Sequence, residues 1–343
     1  MPFREVSAMD ERREFVRLAS MEGAKVRQLC RRFGISPTTG YKWLARAAGG
    51  ELRELSRRPH GSPRQVSAAV EAAVIAVRQA HPAWGGRKIR ARLERQGIPS
   101  EPMAAVPAAS TITAILRRNG AAVGDLVGRQ PLQRFEHAAP NELWQMDFKG
   151  HVGLGDGRRL HPLTVLDDHS RYAVVLRACA DQTTATVRAA LIDAFRRHGL
   201  PGAIITDNGS PWGDGPGHPW TPLGVFLIEQ GIRIAHSRPY HPQTMGKDER
   251  FHRSLKAEVL AGPPFADLAA ADRRFAEWRH VYNSERPHQA LAMAVPAERY
   301  SPSRRDYREA VPPFDYADDD IVRTVQQGGR TGFLGRILRL PKA

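Results

Sequence analysis

The stretch ELWQMDFKG, residues 142–150, alternates so that Leu143, Gln145 and Asp147 lie on one face of a strand and Trp144, Met146 and Phe148 on the other. An unpaired carboxylate is costly in such apolar surroundings, so Asp147 calls for a chemical reason rather than a packing one. Reading outward, LTVLDD (163–168) and YAVVLRAC (172–179) are two further strands joined by the turn HSR. A helix is expected over about 183–198, and then AIITDNGS (203–210), a short buried strand ending in Asp207, Asn208 and Gly209. Residues 222–230 read as a helix, IRIAHS as a strand, and MGKDERFHRSLKAEVL (245–260) as a last helix carrying Glu249.

Three strands, a helix, a strand and a helix is the order of an α/β core of the ribonuclease H kind. Acidic residues in mid-strand, at a strand end and on a helix form the pattern of a metal-dependent phosphoryl-transfer site. Breaking or joining a phosphodiester needs an activated attacking oxygen, a stabilised leaving oxygen and neutralised phosphate charge. Two divalent ions about 3.5 to 4 Å apart supply all three. Hard ions such as Mg²⁺ take oxygen ligands, and three carboxylates can hold two ions if one bridges, a place that suits Asp147.

Residues 9–47 read as three short helices, with Phe15 and Leu18 on the first and Val26, Leu29, Cys30 and Phe33 on the second. Gly34 breaks the pattern, and Ser36 followed by Pro37 is a helix start. The arrangement is a helix-turn-helix, which puts Thr38, Thr39, Lys42 and Arg46 towards DNA and Trp43 and Leu44 in the core. Gly40 argues against it, since glycine within a helix costs about 1 kcal/mol relative to alanine. Residues 49–64, GGELRELSRRPHGSPR, read as a linker. A second helical unit is expected over 65–125. It has Val70, Val74 and Val77 on one helix, Ile89 and Leu93 on another among Arg87, Lys88, Arg90, Arg92 and Arg95, and a third helix capped by Ser110. The division is thus 1–48, a first DNA-binding domain; 49–64, linker; 65–125, a second helix-turn-helix-like domain; 126–139, linker; 140–300, core; and 301–343, tail.

Charge follows this division. The 343 residues hold 51 basic and 36 acidic side chains, net +15. Residues 1–135 account for 24 and 11 of these, net +13, and residues 136–343 for 27 and 25, net +2. A cationic amino-terminal part is suited to phosphates. Two cysteines, Cys30 and Cys179, exclude a disulfide scaffold and a cysteine zinc site. No run approaches the roughly 20 apolar residues of a membrane span, so a cytoplasmic, nucleoid-associated protein without membrane contact is expected. In the tail, IVRTVQQGGRTGFLGRILRLP (321–341) alternates like two strands about a Gly-Gly turn, too short for a complete barrel.

The motifs WQMDF, TDNGS, HPQTMGKDERFHRSLK and YNSERPHQAL, with VPAERYSP after them, closely resemble those of bacterial insertion-sequence transposases of the retroviral-integrase type, the DDE recombinases. The resemblance spans roughly residues 10–305. It implies that Asp147, Asp207 and Glu249 form a triad holding two Mg²⁺ ions, with Mn²⁺ as a substitute. It implies DNA or outer-shell contacts for Asn208 and Lys247, and places Arg250, His252 and Lys256 along the bound strand. Glu249 rather than Asp248 follows from the GK-x-ER spacing, Asp248 lying about 100° around the helix. Two departures stand out. Met245 replaces the family's usual asparagine, and 41 residues separate Asp207 from Glu249, more than usual, through GDGPGHP. A loop grows at modest entropic cost, so a surface insertion accounts for the second.

The expected activity is end recognition through residues 1–125, then cleavage and strand transfer on double-stranded DNA, by a homodimer or larger assembly holding two element ends against a target. A transposase-derived DNA-binding protein with an inactive core is the alternative, motivated by Met245 and the short tail. A structure-selective nuclease on the same core would have no use for two sequence-reading units.

Overall fold

A computed structural model describes residues 7–54, 65–99, 101–121, 136–213, 221–237, 246–311, 315–326 and 328–339. Most of both expected linkers, His241, Met245 and most of GDGPGHP lie outside these residues. The chain forms two compact units, Met1–Gln65 and Val66–Ala343.

The first unit contains α1 (Ala8–Ala19), α2 (Val26–Arg32) and α3 (Pro37–Ala48). Ser7 and Ser36 cap α1 and α3, each accepting from an amide in the first turn, and Pro37 takes the helix position that needs no donor. Phe15, Cys30 and Trp43 are the buried centre, with Leu29, Phe33 and Leu44 packed around them. Gly40 is where the helices touch. A Cβ there would lie 2.4 Å from the Cys30 sulfur and 3.0 Å from the Phe15 ring, so the glycine trades helix propensity for close packing.

The second unit begins with α4 (Ala68–Ala80), α5 (Gly86–Gln96) and α6 (Ala109–Arg118). Val74, Trp84, Ile89, Leu93, Ile112, Ile115 and Leu116 form their shared core. Ser110 does not cap α6: the helix starts two residues earlier than that cap implies, after Ala108, and carries no side-chain cap. Glu71 ties α4 to α6 by accepting from Arg118 and from Asn119 at 2.8 Å.

The strands are β1 (Trp144–Phe148), β2 (Val152–Gly153), β3 (Arg159–Asp167), β4 (Ala173–Cys179), β5 (Ala203–Thr206) and β6 (Arg233–His236). β4, β3, β1, β5 and β6 follow one another across the sheet, and β2 pairs the start of β3. β1 is antiparallel to β3 and parallel to β5, which is parallel to β6. β3 begins four residues before LTVLDD and runs through Pro162. The missing N–H is tolerated because β1 ends at Phe148, level with Leu163.

Alternation along the strands separates two cores. Trp144, Met146, Leu163 and Val165 face α7 (Thr184–His198) and α8 (Pro222–Glu229). Leu160, Leu166 and Leu176 face α9 (Gly246–Leu255) and α10 (Leu268–Ser284). α9 passes into a wider π-turn at Lys256–Leu260. In the tail, the hairpin of β7 (Arg330–Phe333) and β8 (Arg336–Arg339) turns at Leu334 and Gly335 rather than at the Gly-Gly pair. Both turn residues have positive φ, 47° and 72°, as a two-residue hairpin loop of matching twist requires.

Candidate active site

β1 pairs β5 in parallel with Gln145 opposite Ile205, so two residues further along both chains Asp147 comes level with Asp207 at the carboxyl edge of the sheet. Asp147 accepts from its neighbour Phe148 N–H at 2.8 Å and keeps a side-chain exposure of 32%. Burial, and then the Asp207 carboxylate, push its carboxyl up to about 6. Asp207 lies one residue past β5, exposed, and accepts from Gly209 N–H at 3.0 Å. Asn208 donates to the Ser237 carbonyl at 2.9 Å, tying the ends of β5 and β6.

α9 crosses this edge. Asp248, buried, places a carboxylate oxygen with those of Asp147 and a ring nitrogen of His252 inside a 4.8 Å cluster. His252 Nε2 is 3.1 Å from Asp248 Oδ2 and Nδ1 is 3.9 Å from Asp147 Oδ2. The Thr164 hydroxyl lies 2.9 Å from the Asp147 carbonyl, 3.1 Å from Asp248 Oδ1 and 2.9 Å from His252 Nε2. Burial, then the charge of Asp147, raises Asp248 well above the usual carboxylate range, and burial lowers His252 to about 3, which leaves the imidazole neutral. Glu249 is on the outer face, 66% exposed, with Arg253 donating to it at 3.0 Å.

Of the residues expected at the site, Asp147 and Asp207 come together. Glu249 is not brought to them: α9 contributes Asp248 and His252 to the cluster with Asp147, and Glu249 faces outward with Arg253. His252, expected along the bound strand, is turned inward instead: it is 7% exposed and engaged with Asp248 and Thr164. Lys247 is likewise drawn in, its ammonium donating to the Asp168 carboxylate and, at 3.1 Å, to the Asp168 carbonyl. Arg286 is buried against Glu258 at 2.9 Å and Ser254 at 2.9 Å. Arg87, Arg250 and Lys256 are exposed. Lys88 is half-buried, and burial, then Arg286, push its ammonium down to about 7. In the first unit Thr38 is exposed and Thr39 lies 2.9 Å from Ser36 at the cap of α3. Lys42 and Arg46 flank Trp43 and approach Glu54 at 3.9 and 3.7 Å. Asp167 makes the expected turn, accepting from Ser170 N–H at 2.8 Å, whereas Asp168 binds across the sheet to α9. No site motif in the sequence assigns a role to Gln145, Thr164 or Asp168. The one sequence signal was the two-residue period that puts Gln145 on the face of Asp147.

Residues 137–242 and 230–296 match two family models described as integrase core domain. Residues 11–64 match a helix-turn-helix domain and 39–116 a homeodomain-like domain. The 31.7 kDa protein of insertion element IS407 from Burkholderia multivorans is 30% identical over 215 residues, 63% of this chain and 74% of the relative. The chain belongs to the bacterial insertion-sequence transposases with an integrase-like core. The transposase is 31% identical over 176 residues to the 39.2 kDa protein of insertion element IS476 from Xanthomonas euvesicatoria, 51% of this chain and 49% of that one. The solved HTLV-2 integrase catalytic core domain in complex with magnesium aligns over 48% of the transposase and 99% of its own chain, at 15% identity and a TM-score of 0.36. The transposase is a DDE-type polynucleotidyl transferase with helix-turn-helix DNA-binding domains. No helix among its described residues is long and apolar enough to cross a membrane.

Proposed function

We propose that the transposase binds the terminal inverted repeats of its own element, cuts the DNA there and joins the freed 3′-hydroxyl to a target, with Asp147, Asp207 and Glu249 holding two divalent ions. The observation that carries this reading is the register of β1 on β5, which makes two carboxylates neighbours at an accessible sheet edge, where burial and then the Asp207 charge raise Asp147. Adjacent carboxylates supply the hard oxygen donors that suit Mg²⁺, with Mn²⁺ as a substitute that also accepts the nearby imidazole. When bound, such ions activate the attacking oxygen and neutralise the phosphate.

Asp147, the inner member, would be the carboxylate that the two ions share. Asp207 is preset by its own turn with Gly209. Glu249 has to leave Arg253, and an exposed pair four residues apart on a helix holds weakly. Water attack at the element end breaks one phosphodiester and frees the 3′-hydroxyl. That hydroxyl then attacks a target phosphodiester, one bond forming as one breaks, with no protein–DNA bond at any stage. Thr38, Thr39, Lys42 and Arg46 on α3 read the repeat within domain 1–48, and Arg87 in the 65–125 unit, with Asn208, Arg250 and Lys256 on the 140–300 core, meets the backbone. Both ends have to be held at once, so the working form is a dimer or larger assembly on DNA.

The test is strand transfer with a labelled element end in Mg²⁺ or Mn²⁺. Asp147→Ala, Asp207→Ala and Glu249→Ala each reduce product to background while end binding persists. Retained activity in any one removes that residue from the triad. End binding without cleavage by the unaltered protein in either ion identifies a DNA-binding derivative with an inactive core.

A further inference from the structure

The first turn of α9 is held by groups that play no part in the chemistry above. Asp168 is fully buried, and its Oδ1 accepts from Gln145 Nε2 at 2.8 Å and from the Lys247 ammonium. Its Oδ2 accepts from the His137 amide at 2.9 Å. The other end of the Gln145 amide, Oε1, accepts at 3.3 Å from Asp248 N–H. That N–H belongs to the first helical turn, where amides have no partner within the helix. A side chain of β1 therefore caps the helix that carries Glu249, and an ion pair from the β3–β4 turn holds the residue two places before it. Such a pair is a poor choice for stability, because well-packed apolar residues in place of a buried ion pair are often neutral or better. What it supplies is one fixed place for the helix.

We propose that Asp168, Gln145 and Lys247 are positioning residues: they clamp the first turn of α9 to β1 and so set where Glu249 stands relative to Asp147. Lys247 acts here on the protein and not on DNA. The inference rests on the triad reading, with Glu249 as its third carboxylate.

The experiment uses the full-length transposase and three readouts: Mn²⁺ binding followed by electron paramagnetic resonance, binding of a labelled element end in Ca²⁺, and strand-transfer kinetics. Lys247→Met and Gln145→Met are each expected to weaken Mn²⁺ binding about 10- to 100-fold, the usual cost of losing an outer-shell support. Turnover falls, while end affinity and the KM for the end stay within about twofold of wild type, as for a group that acts on ion placement and not on DNA. The apolar pair Asp168→Leu with Lys247→Met recovers the melting temperature without recovering Mn²⁺ affinity.

Weakened end binding at unchanged Mn²⁺ affinity makes Lys247 a DNA contact and overturns the proposal. Recovery of Mn²⁺ affinity together with melting temperature in the apolar pair reduces the clamp to packing and also overturns it. Should Lys247→Met fail to fold, Gln145→Met, which uncovers no charge, decides. Glu249→Gln is run alongside. If it leaves Mn²⁺ binding and strand transfer intact, the triad reading has failed; if it abolishes both while the clamp variants behave as wild type, the clamp alone has failed.

Discussion

Gly40 shows how a residue can argue against a fold in the sequence and for it in the structure. Its cost is local, about 1 kcal/mol of helix propensity, and readable from α3 alone. Its benefit depends on Cys30 and Phe15, which other helices bring to it. Gly40→Ala would thrust a methyl into the Cys30 sulfur, and overpacking of this kind costs about 1 to 3 kcal/mol. Thermal melting of the first unit's transition should register the loss, and adding Cys30→Ala should return part of it by making room. The same contrast applies at Asp248 and Glu249. Helix geometry alone puts them on different faces of α9, which was legible. The pairing of Asp248 with His252, one turn on, was legible too; that Thr164 would join them was not, because it comes from β3, 84 residues earlier in the chain.

At the scale of elements, periodicity located α1 to α9 and β1, while β5, buried at every position, was legible only as a short apolar run before Asp207. It did not reveal what a charged face is for. α5 reads as a basic stripe for DNA, yet Arg92 donates to Glu285 at 2.6 Å and Arg95 to the Met293 carbonyl at 2.8 Å, while Val281 of α10 packs on the α4–α6 core. Part of the stripe therefore fastens the helical unit to the catalytic core, leaving Arg87 and Arg90 exposed. The Arg92–Glu285 pair is partly screened, with side-chain exposures of 18% and 27%. Glu285→Ala should weaken the seam by about 1 to 2 kcal/mol, towards the lower end for a charged hydrogen bond. Hydrogen exchange should then show faster opening of α5 with β1 and β5 unchanged; equal acceleration throughout would mean that the pair supports the whole unit and not the seam.

For the molecule as a whole, the segment after the last core motif closes the fold. Tyr300 stacks on Tyr172 with ring centres 4.1 Å apart, Ser303 N–H donates to the His198 carbonyl at 2.7 Å, and Arg305 donates to the Pro201 carbonyl at 2.6 Å. Gly199 has to be glycine there, since its φ is +70° and a Cβ would lie 2.7 Å from the Ser303 carbonyl oxygen. Beneath this strap the His198 ring meets Tyr172 and Tyr300 edge-on. Burial, then Arg197 and Arg279, lower it to about 4. A histidine with a folded pKa below its unfolded one takes up its proton first in the unfolded chain. Its contribution is therefore complete above about pH 6.5 and is lost as pH falls towards 4. Buried His288 is lowered for the same reason and adds in the same direction. The Glu71 carboxylate, held down to about 2 by Arg118 and Asn119, also loses its contribution in acid, but only below about pH 4.5. The histidines' share of the stability should thus be lost between pH 7 and pH 5 and that carboxylate's share should not, while Asp147, raised to about 6, works in the opposite direction over the same interval. His198→Phe should flatten the slope over that interval while Glu71→Gln lowers the curve without changing its slope; an unaltered slope in His198→Phe would show that the strap does not sense protonation of the ring it covers.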